Sequence, residues 1–445
     1  MIEISPEVVA LIMLGGVIVG VLVGFPLAFP IGGIGLLMGI LLLGPYSTFD
    51  LYYSRVFSLL TNYILLSVPL FIFMGSMLER SGIAEGLYDA LYLWLGGLRG
   101  GLAVVTVLIG TIMAACVGII AASVTMLTLV ALPSMAKRGY SKSLASGSVC
   151  AGGTLGILIP PSIMLVVYGP MSGLSVGKLF FAAFAPGLLL SALYCTYIVL
   201  HSLIRPDIAP AVPVEERAVS FMKKTVMLVT SLIPPILLIM SVLGVIFLGI
   251  AAPTEAAGVG ALAATVLAIA YRKFNLRALK ETSIATMKLS GMIFIIGSLS
   301  FAFVGIFIGA GGGEVVKEFI INAPGGRWAS FAIIMFIIFI LGMLIDWLGI
   351  LFIMVPIVTP IGEALGFHAL WFGMMVCVNL QMSFMTPPFA YAIFIVRGAA
   401  APELGVTTAD IIRGVIPFVA LIIVGLGLCV VFPEIILWLP GQMIK

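Results

Sequence analysis

Residues 152–161 read Gly152-Gly153-Thr154-Leu155-Gly156-Ile157-Leu158-Ile159-Pro160-Pro161. Residues 379–388 read Asn379-Leu380-Gln381-Met382-Ser383-Phe384-Met385-Thr386-Pro387-Pro388. Each stretch lies in an apolar run long enough to cross a bilayer, and each ends in a double proline. Two successive prolines remove two backbone donors and crowd the preceding helical turn. In lipid such a break survives only where protein or a wet cavity supplies the missing hydrogen bonds. Two interrupted spans at matching positions in two halves point to a transporter with its binding site between them. A pair of kinked helices without a ligand is the competing reading.

The rest of the chain agrees with a membrane setting. Of its 445 residues 62% are hydrophobic and 9% charged, with a mean hydropathy of +1.31. A soluble protein of this size needs far more charge to cover its surface. Apolar runs of about 20 residues recur from end to end, as expected of a polytopic helical protein in a lipid bilayer. No basic segment precedes the first apolar run, so no cleaved signal peptide is expected. Cys116, Cys150, Cys195, Cys377 and Cys429 are scattered through apolar stretches without metal-ligand or redox spacing. They read as packed small residues. His201 and His368 stand alone near span ends.

The first spans are expected near 8–25, 27–43 and 57–78, followed by an amphipathic interfacial stretch over 79–100. Residues 101–133 are apolar but divided at Gly118, which suggests a re-entrant hairpin with its tip at 118–123. A basic turn with Lys137, Arg138 and Lys142 precedes the broken span 143–168 and a return span 179–203. Residues 205–224 form a charged, proline-containing linker. The second half has spans near 226–250, 254–271 and 288–308 and a short polar helix around 314–322. A second hairpin over 328–360 is divided at 346–349. The broken span 369–396 and a last span to about residue 432 follow.

An offset of 227 positions carries Pro26 onto Pro253, Pro133 onto Pro360 and Pro160-Pro161 onto Pro387-Pro388. One ungapped offset over both halves is an internal repeat. With a cytoplasmic linker, all of the 21 lysines and arginines except Arg55, Lys178, Lys317, Arg327 and Lys445 fall inside, and both termini lie outside. Five spans per half then make the second half upside down relative to the first. The expected fold is therefore all-α and polytopic. It is an inverted repeat of residues 1–204 and 225–445, each with five spans and one re-entrant hairpin, joined by a cytoplasmic linker at 205–224.

Hairpins facing broken helices bring polar backbone to mid-membrane. Carbonyl and hydroxyl oxygens there suit a hard cation such as Na⁺, and half-helix N-termini suit a carboxylate. One candidate site combines Gly118 and Ser123 with Gly153, Thr154 and Gly156. The other combines Asp346 and Gly349 with Asn379, Ser383 and Thr386. Asp346 reads either as a functional acid deep in an apolar region or as the N-cap of the second hairpin arm. Ser383 and Thr386 read either as ligands or as caps on carbonyls freed by the kink. Residues 173–178 imitate a phosphate loop only superficially, since Leu179 stands where a hydroxyl is needed and the spacing is one residue short. No catalytic set, dinucleotide fingerprint or nucleic-acid motif appears. No cofactor is expected, and energy is expected to come from an ion gradient. An ion channel and a self-sufficient one-component transporter are the rival readings.

Four segments, GTLGILIPPSI (153–163), LPSMAKRGY (132–140), APTEAAGVGA (252–261) and NLQMSFMTPPFAYAIF (379–394), resemble the large membrane subunit of tripartite ATP-independent periplasmic (TRAP) transporters. The resemblance covers essentially the whole chain. It implies a place in the bacterial inner membrane and two partners, a small four-helix membrane subunit and a soluble periplasmic substrate-binding protein. It implies inward transport of organic acids, usually with Na⁺, by an elevator motion of a transport domain against a scaffold. The scaffold, with residues 79–100, would dock the small subunit. It also implies sodium sites at the two hairpin tips and the breaks ending at Pro160, Pro161, Pro387 and Pro388. Family members often carry Gly-Ser-Ser at the first tip where this chain has Gly118-Ile119-Ile120, so only backbone carbonyls are expected to serve there. The second tip and the turn from Arg397 to Glu403 are closest to the branch handling 2-oxo acids, lactate or aromatic acids.

Overall fold

The computed structural model describes residues 4–213 and 215–443. The readings that involve Lys445 and the first three residues concern positions outside that range. Among the described residues every regular element is helical. The first half contains α1 (Pro6–Leu22), α2 (Ala28–Leu43), α3 (Pro45–Leu60), α4 (Ser67–Glu79) and α5 (Ile83–Leu95). The hairpin α6 (Gly101–Val117) and α7 (Ile120–Lys137) follows, then the broken pair α8 (Lys142–Thr154) and α9 (Ile163–Ser172), then α10 (Val176–Ile204).

The second half begins with α11 (Phe221–Ile239), which passes through a π turn (Met240–Gly244) into α12 (Val245–Phe247). Next are α13 (Pro253–Ala270), α14 (Leu276–Gly309), α15 (Gly312–Ile321) and the first hairpin arm α16 (Gly326–Leu344). The second arm is α17 (Trp347–Gly349), a π turn (Ile350–Met354) and α18 (Val355–Ala364). The broken pair α19 (Ala369–Ser383) and α20 (Tyr391–Ala399) precedes α21 (Thr408–Val431) and a short α22 (Glu434–Gly441). Among the described residues eight helices are long and apolar enough to cross a membrane, or nine if one bent pair counts as a span.

The same offset of 227 relates helix bounds as well as prolines. It carries the start and end of α7 onto Trp347 and Ala364, the start of α8 onto Ala369, and the end of α2 onto Ala270. One region breaks the correspondence and corrects the expected third span at 57–78. Instead α3 and the stretch Tyr63–Glu79 that ends in α4 are separate limbs, bent by 56° across residues 61–62. The cause is local. Asn62 accepts a hydrogen bond from the Ile64 N–H at 3.0 Å and starts a new helical direction. The offset places Leu289 opposite Asn62, with no capping oxygen, and α14 runs unbroken for 34 residues.

The helices form two packing groups. In one, α13 packs on α4, and α14 on α2, α3 and α4. In the other, α8 is enclosed by α6, α7 and α21, and α19 by α16, α10 and α21. Lipid removes most of the hydrophobic drive between helices, so close approach at small residues matters. A β-carbon on Gly110 would sit 2.5 Å from the Gly152 carbonyl carbon, where α6 crosses α8. A β-carbon on Gly147 would likewise collide with the Gly414 backbone, where α8 crosses α21.

Residues 205–213 and 215–220 are a strap tied to the first half, while Phe221 already belongs to α11. The Ile208 carbonyl accepts from Ser141 N–H at 2.8 Å and the Ala209 carbonyl from Gly100 N–H at 3.0 Å. Val212 N–H donates to the Gly96 carbonyl at 2.8 Å, and Arg138 forms an ion pair with Glu216.

Candidate ion and substrate site

The first tip is made by Gly118, whose φ of +66° ends α6 in the left-handed region open to glycine. Ile119 is extended and α7 starts at Ile120. The tip rests on the first break: a β-carbon on Gly118 would lie 3.0 Å from the Pro161 carbonyl oxygen. One turn on, Ser123 Oγ lies 3.2 Å from the position a Gly156 β-carbon would take, and Gly153 packs on Val124. Ser123 is buried, and its hydroxyl has no partner. Gly118, Ser123, Gly153 and Gly156 therefore converge. Thr154 points elsewhere. Its hydroxyl donates to the Ala151 carbonyl at 3.1 Å and meets Met385 Sδ at 3.8 Å, linking the two breaks.

At the second tip, Ile345 and Asp346 are extended between α16 and α17. Asp346 holds the N-cap position but makes no side-chain cap bond. Asn379 Nδ2 donates to the Met335 carbonyl at 2.7 Å, while Oδ1 of this buried residue is unpartnered. Ser383 is buried against Gly342 with its hydroxyl also unpartnered. Phe389 N–H donates to the Met343 carbonyl at 2.9 Å and pins the chain after Pro388 to the hairpin. Thr386 Oγ1 donates to the Met382 carbonyl at 2.8 Å, capping a carbonyl freed by the kink. Gly349 is not turned to the break, since a β-carbon there would lie 2.8 Å from Leu27 Cδ2.

The tips share a space. A cavity of about 840 Å³ is lined by Asp346, Trp347, Pro388, Phe389 and Tyr391 on one side and by the α1–α2 turn and α14 on the other. A smaller one of about 60 Å³ is lined by residues 118–121, Ile157 and Ile163. Met292, Trp347 and Tyr391 belong to the walls of both. The larger volume suits a small organic ligand, and neither wall carries a lysine or arginine. Native interiors seldom leave buried polar atoms without a bond. The unpartnered Ser123 Oγ and Ser383 Oγ lie within about one helical turn of the tips, whereas Asn379 Oδ1 sits beside Met335, ten residues before the second tip.

Sequence reasoning placed Trp347 at the second tip but passed over Tyr391, its companion in the shared wall. It also passed over Gln381, which is fully buried with both amide atoms unpartnered. A signal was present, because the repeat offset places Gln381 on Thr154, a polar residue beside each break.

Residues 14–435 match the family described as "Tripartite ATP-independent periplasmic transporter, DctM component". The chain is 30% identical to the C4-dicarboxylate TRAP transporter large permease protein DctM of Pseudomonas aeruginosa, over 91% of this chain and 92% of that protein. It is 27% identical to the ectoine TRAP transporter large permease protein TeaC of Halomonas elongata, over 96% and 98%. Its fold is similar to that of the Alcanivorax borkumensis YdaH transporter crystal structure. That match has a TM-score of 0.65 at 13% identity and covers 97% of this chain and 99% of that one. The chain belongs to the DctM component family of tripartite ATP-independent periplasmic transporters, as a multi-pass inner-membrane permease subunit and not an enzyme.

Proposed function

We propose that this subunit couples Na⁺ influx to import of a carboxylate that a periplasmic binding protein delivers. A small membrane subunit would complete the assembly. The observation that carries the reading is the pair of hairpin tips, each set against a helix break, on two cavities that share Met292, Trp347 and Tyr391 as walls. The unpartnered hydroxyls of Ser123 and Ser383 lie within about one helical turn of the tips. Na⁺ held between a tip and its break would tie hairpin to helix only when occupied, and that linkage is what couples ion to substrate. The group containing α6–α10 and α16–α21 would be the elevator's moving body. The group containing α2, α3, α4, α13 and α14 would be its scaffold.

The names of the relatives support an organic solute with a carboxylate, since one handles C4-dicarboxylates and another ectoine. With no basic side chain in the cavity walls, the half-helix N-termini after the breaks would receive the anion. Asp346 in the cavity wall favours a second reading, in which a proton on that carboxyl drives transport. The assembly, reconstituted with its binding protein, separates the two under an imposed Na⁺ gradient or an imposed pH gradient. Uptake under the pH gradient alone, indifferent to Na⁺, would overturn the sodium reading.

A further inference from the structure

A cavity of about 300 Å³ lies apart from the central one, walled by Arg55 of α3, by Phe301, Val304, Gly305, Ile308 and Gly309 of α14, and by Met171 of α9 and Pro356 of α18. It straddles the two packing groups. Gly305 bares the α14 backbone to Arg55, for a β-carbon there would lie 3.1 Å from Arg55 Nε. Among the described residues the ion pairs are Arg80–Glu281, Arg138–Glu216, Arg277–Glu281 and Lys317–Glu314, so Arg55 has no carboxylate partner. No acidic residue lines the cavity, and Arg55 is its one charged wall group. A guanidinium always carries its charge and presents a fork that fits a carboxylate. Unpaired and exposed beside apolar walls, the Arg55 guanidinium is free to meet an anion. Along α14, Gly305 stands 13 residues beyond Met292 of the central cavity, or about 20 Å at the helical rise.

We infer that Arg55 makes this cavity an anion-collecting vestibule, the first contact within this subunit of a carboxylate on its way to the central cavity. Its use by substrate rests on the transport reading above; its preference for anions does not. The two are tested separately in the full-length protein. Ile308→Cys places a thiol in the vestibule wall, and the parent protein corrects for the native cysteines. Rates of modification by the anionic sulfonatoethyl and the cationic trimethylammonioethyl methanethiosulfonate are then compared. Arg55→Gln is expected to lower the anionic-to-cationic rate ratio by about five- to ten-fold at low salt, and 1 M NaCl to flatten the difference. Arg55→Lys is expected to keep most of the ratio, which controls for misfolding. A ratio that Arg55→Gln leaves unchanged would overturn the vestibule. Absence of carboxylate uptake by the reconstituted parent would instead sink the transport reading, with the reagent ratio intact.

Discussion

Ser383 Oγ lies against the bare α-carbon of Gly342, so close that a β-carbon on Gly342 would collide with it. This contact seats the second broken helix on the second hairpin. Gly342→Ala should overpack it, costing about 1–3 kcal/mol and abolishing uptake. Ser383→Ala removes a buried, unpartnered hydroxyl and breaks no protein hydrogen bond, so stability without sodium should hold or rise by about 1 kcal/mol. The stabilisation that Na⁺ confers on thermal unfolding should shrink, because binding to the native state adds stability. An unaltered sodium response in Ser383→Ala would remove that hydroxyl from the site. Asn379→Ala is a less clean probe, since it also strips the Met335 carbonyl of its donor at about 1–3 kcal/mol.

The double prolines are the second test. Pro160-Pro161→Ala-Ala or Pro387-Pro388→Ala-Ala restores backbone donors and permits a more continuous helix across each break. Both proteins should reach the membrane and fail in uptake. Normal uptake by both would detach the site from the breaks.

Asp346 separates the two coupling ions. The wall of its cavity holds no cationic side chain, so besides the backbone N–H groups of Trp347 and Leu348 the acid has only a bound ion, a proton or water for compensation. Asp346→Asn should weaken the sodium dependence of uptake severalfold if Na⁺ is the coupling ion. If a proton is, the variant should lose response to an imposed pH gradient and keep whatever Na⁺ response the parent has. Uptake assays under each gradient distinguish these outcomes.

Docking of the small subunit is expected on α3. The apolar face of α5 is already taken, with Ile83, Leu87 and Leu91 buried and the helix packed on α6 and α11. Tyr46, Phe49, Tyr53 and Phe57 instead form an exposed stripe at helical spacing along α3. A photocrosslinking residue at Tyr53 or Phe57 should capture the small membrane subunit in the assembled transporter. Capture only through α6–α7 or α16–α18 would contradict the assignment.

The strap offers a charge-reversal test. Arg138, at the end of the first hairpin, pairs with Glu216 and also donates to the Tyr92 hydroxyl at 3.1 Å. Partly exposed pairs of this kind contribute about 0.2–1 kcal/mol. Arg138→Glu should therefore loosen the strap and raise protease cleavage within 205–220 a few-fold. Adding Glu216→Arg should restore protection. Equal cleavage in all three proteins would leave the ion pair without a role in holding the strap.

Sequence alone determined the properties that a short stretch of backbone carries. The double prolines 160–161 and 387–388 interrupt their helices, although Pro234-Pro235 lies inside α11 without ending it; apolar runs of span length require a bilayer, and one offset of 227 exposes the repeat because it moves prolines onto prolines. The hairpin tips were legible for the same reason, through Gly118 and Asp346, although the second break falls at Ile345 and Asp346 and residues 347–349 are already helical. Tertiary structure decided where side chains point and what they meet. It turned Gly349 toward Leu27, spent the Thr386 hydroxyl on the Met382 carbonyl, and brought Thr154 to Met385 across the two breaks. It buried Gln381 without a partner and tied the linker across the first half. The bend between α3 and α4 lies between these cases. Asn62 is visible in the sequence, but a capping residue also fits inside a continuous helix. Such outcomes depend on contacts between residues far apart in the chain, which a repeat offset and a hydropathy pattern do not encode.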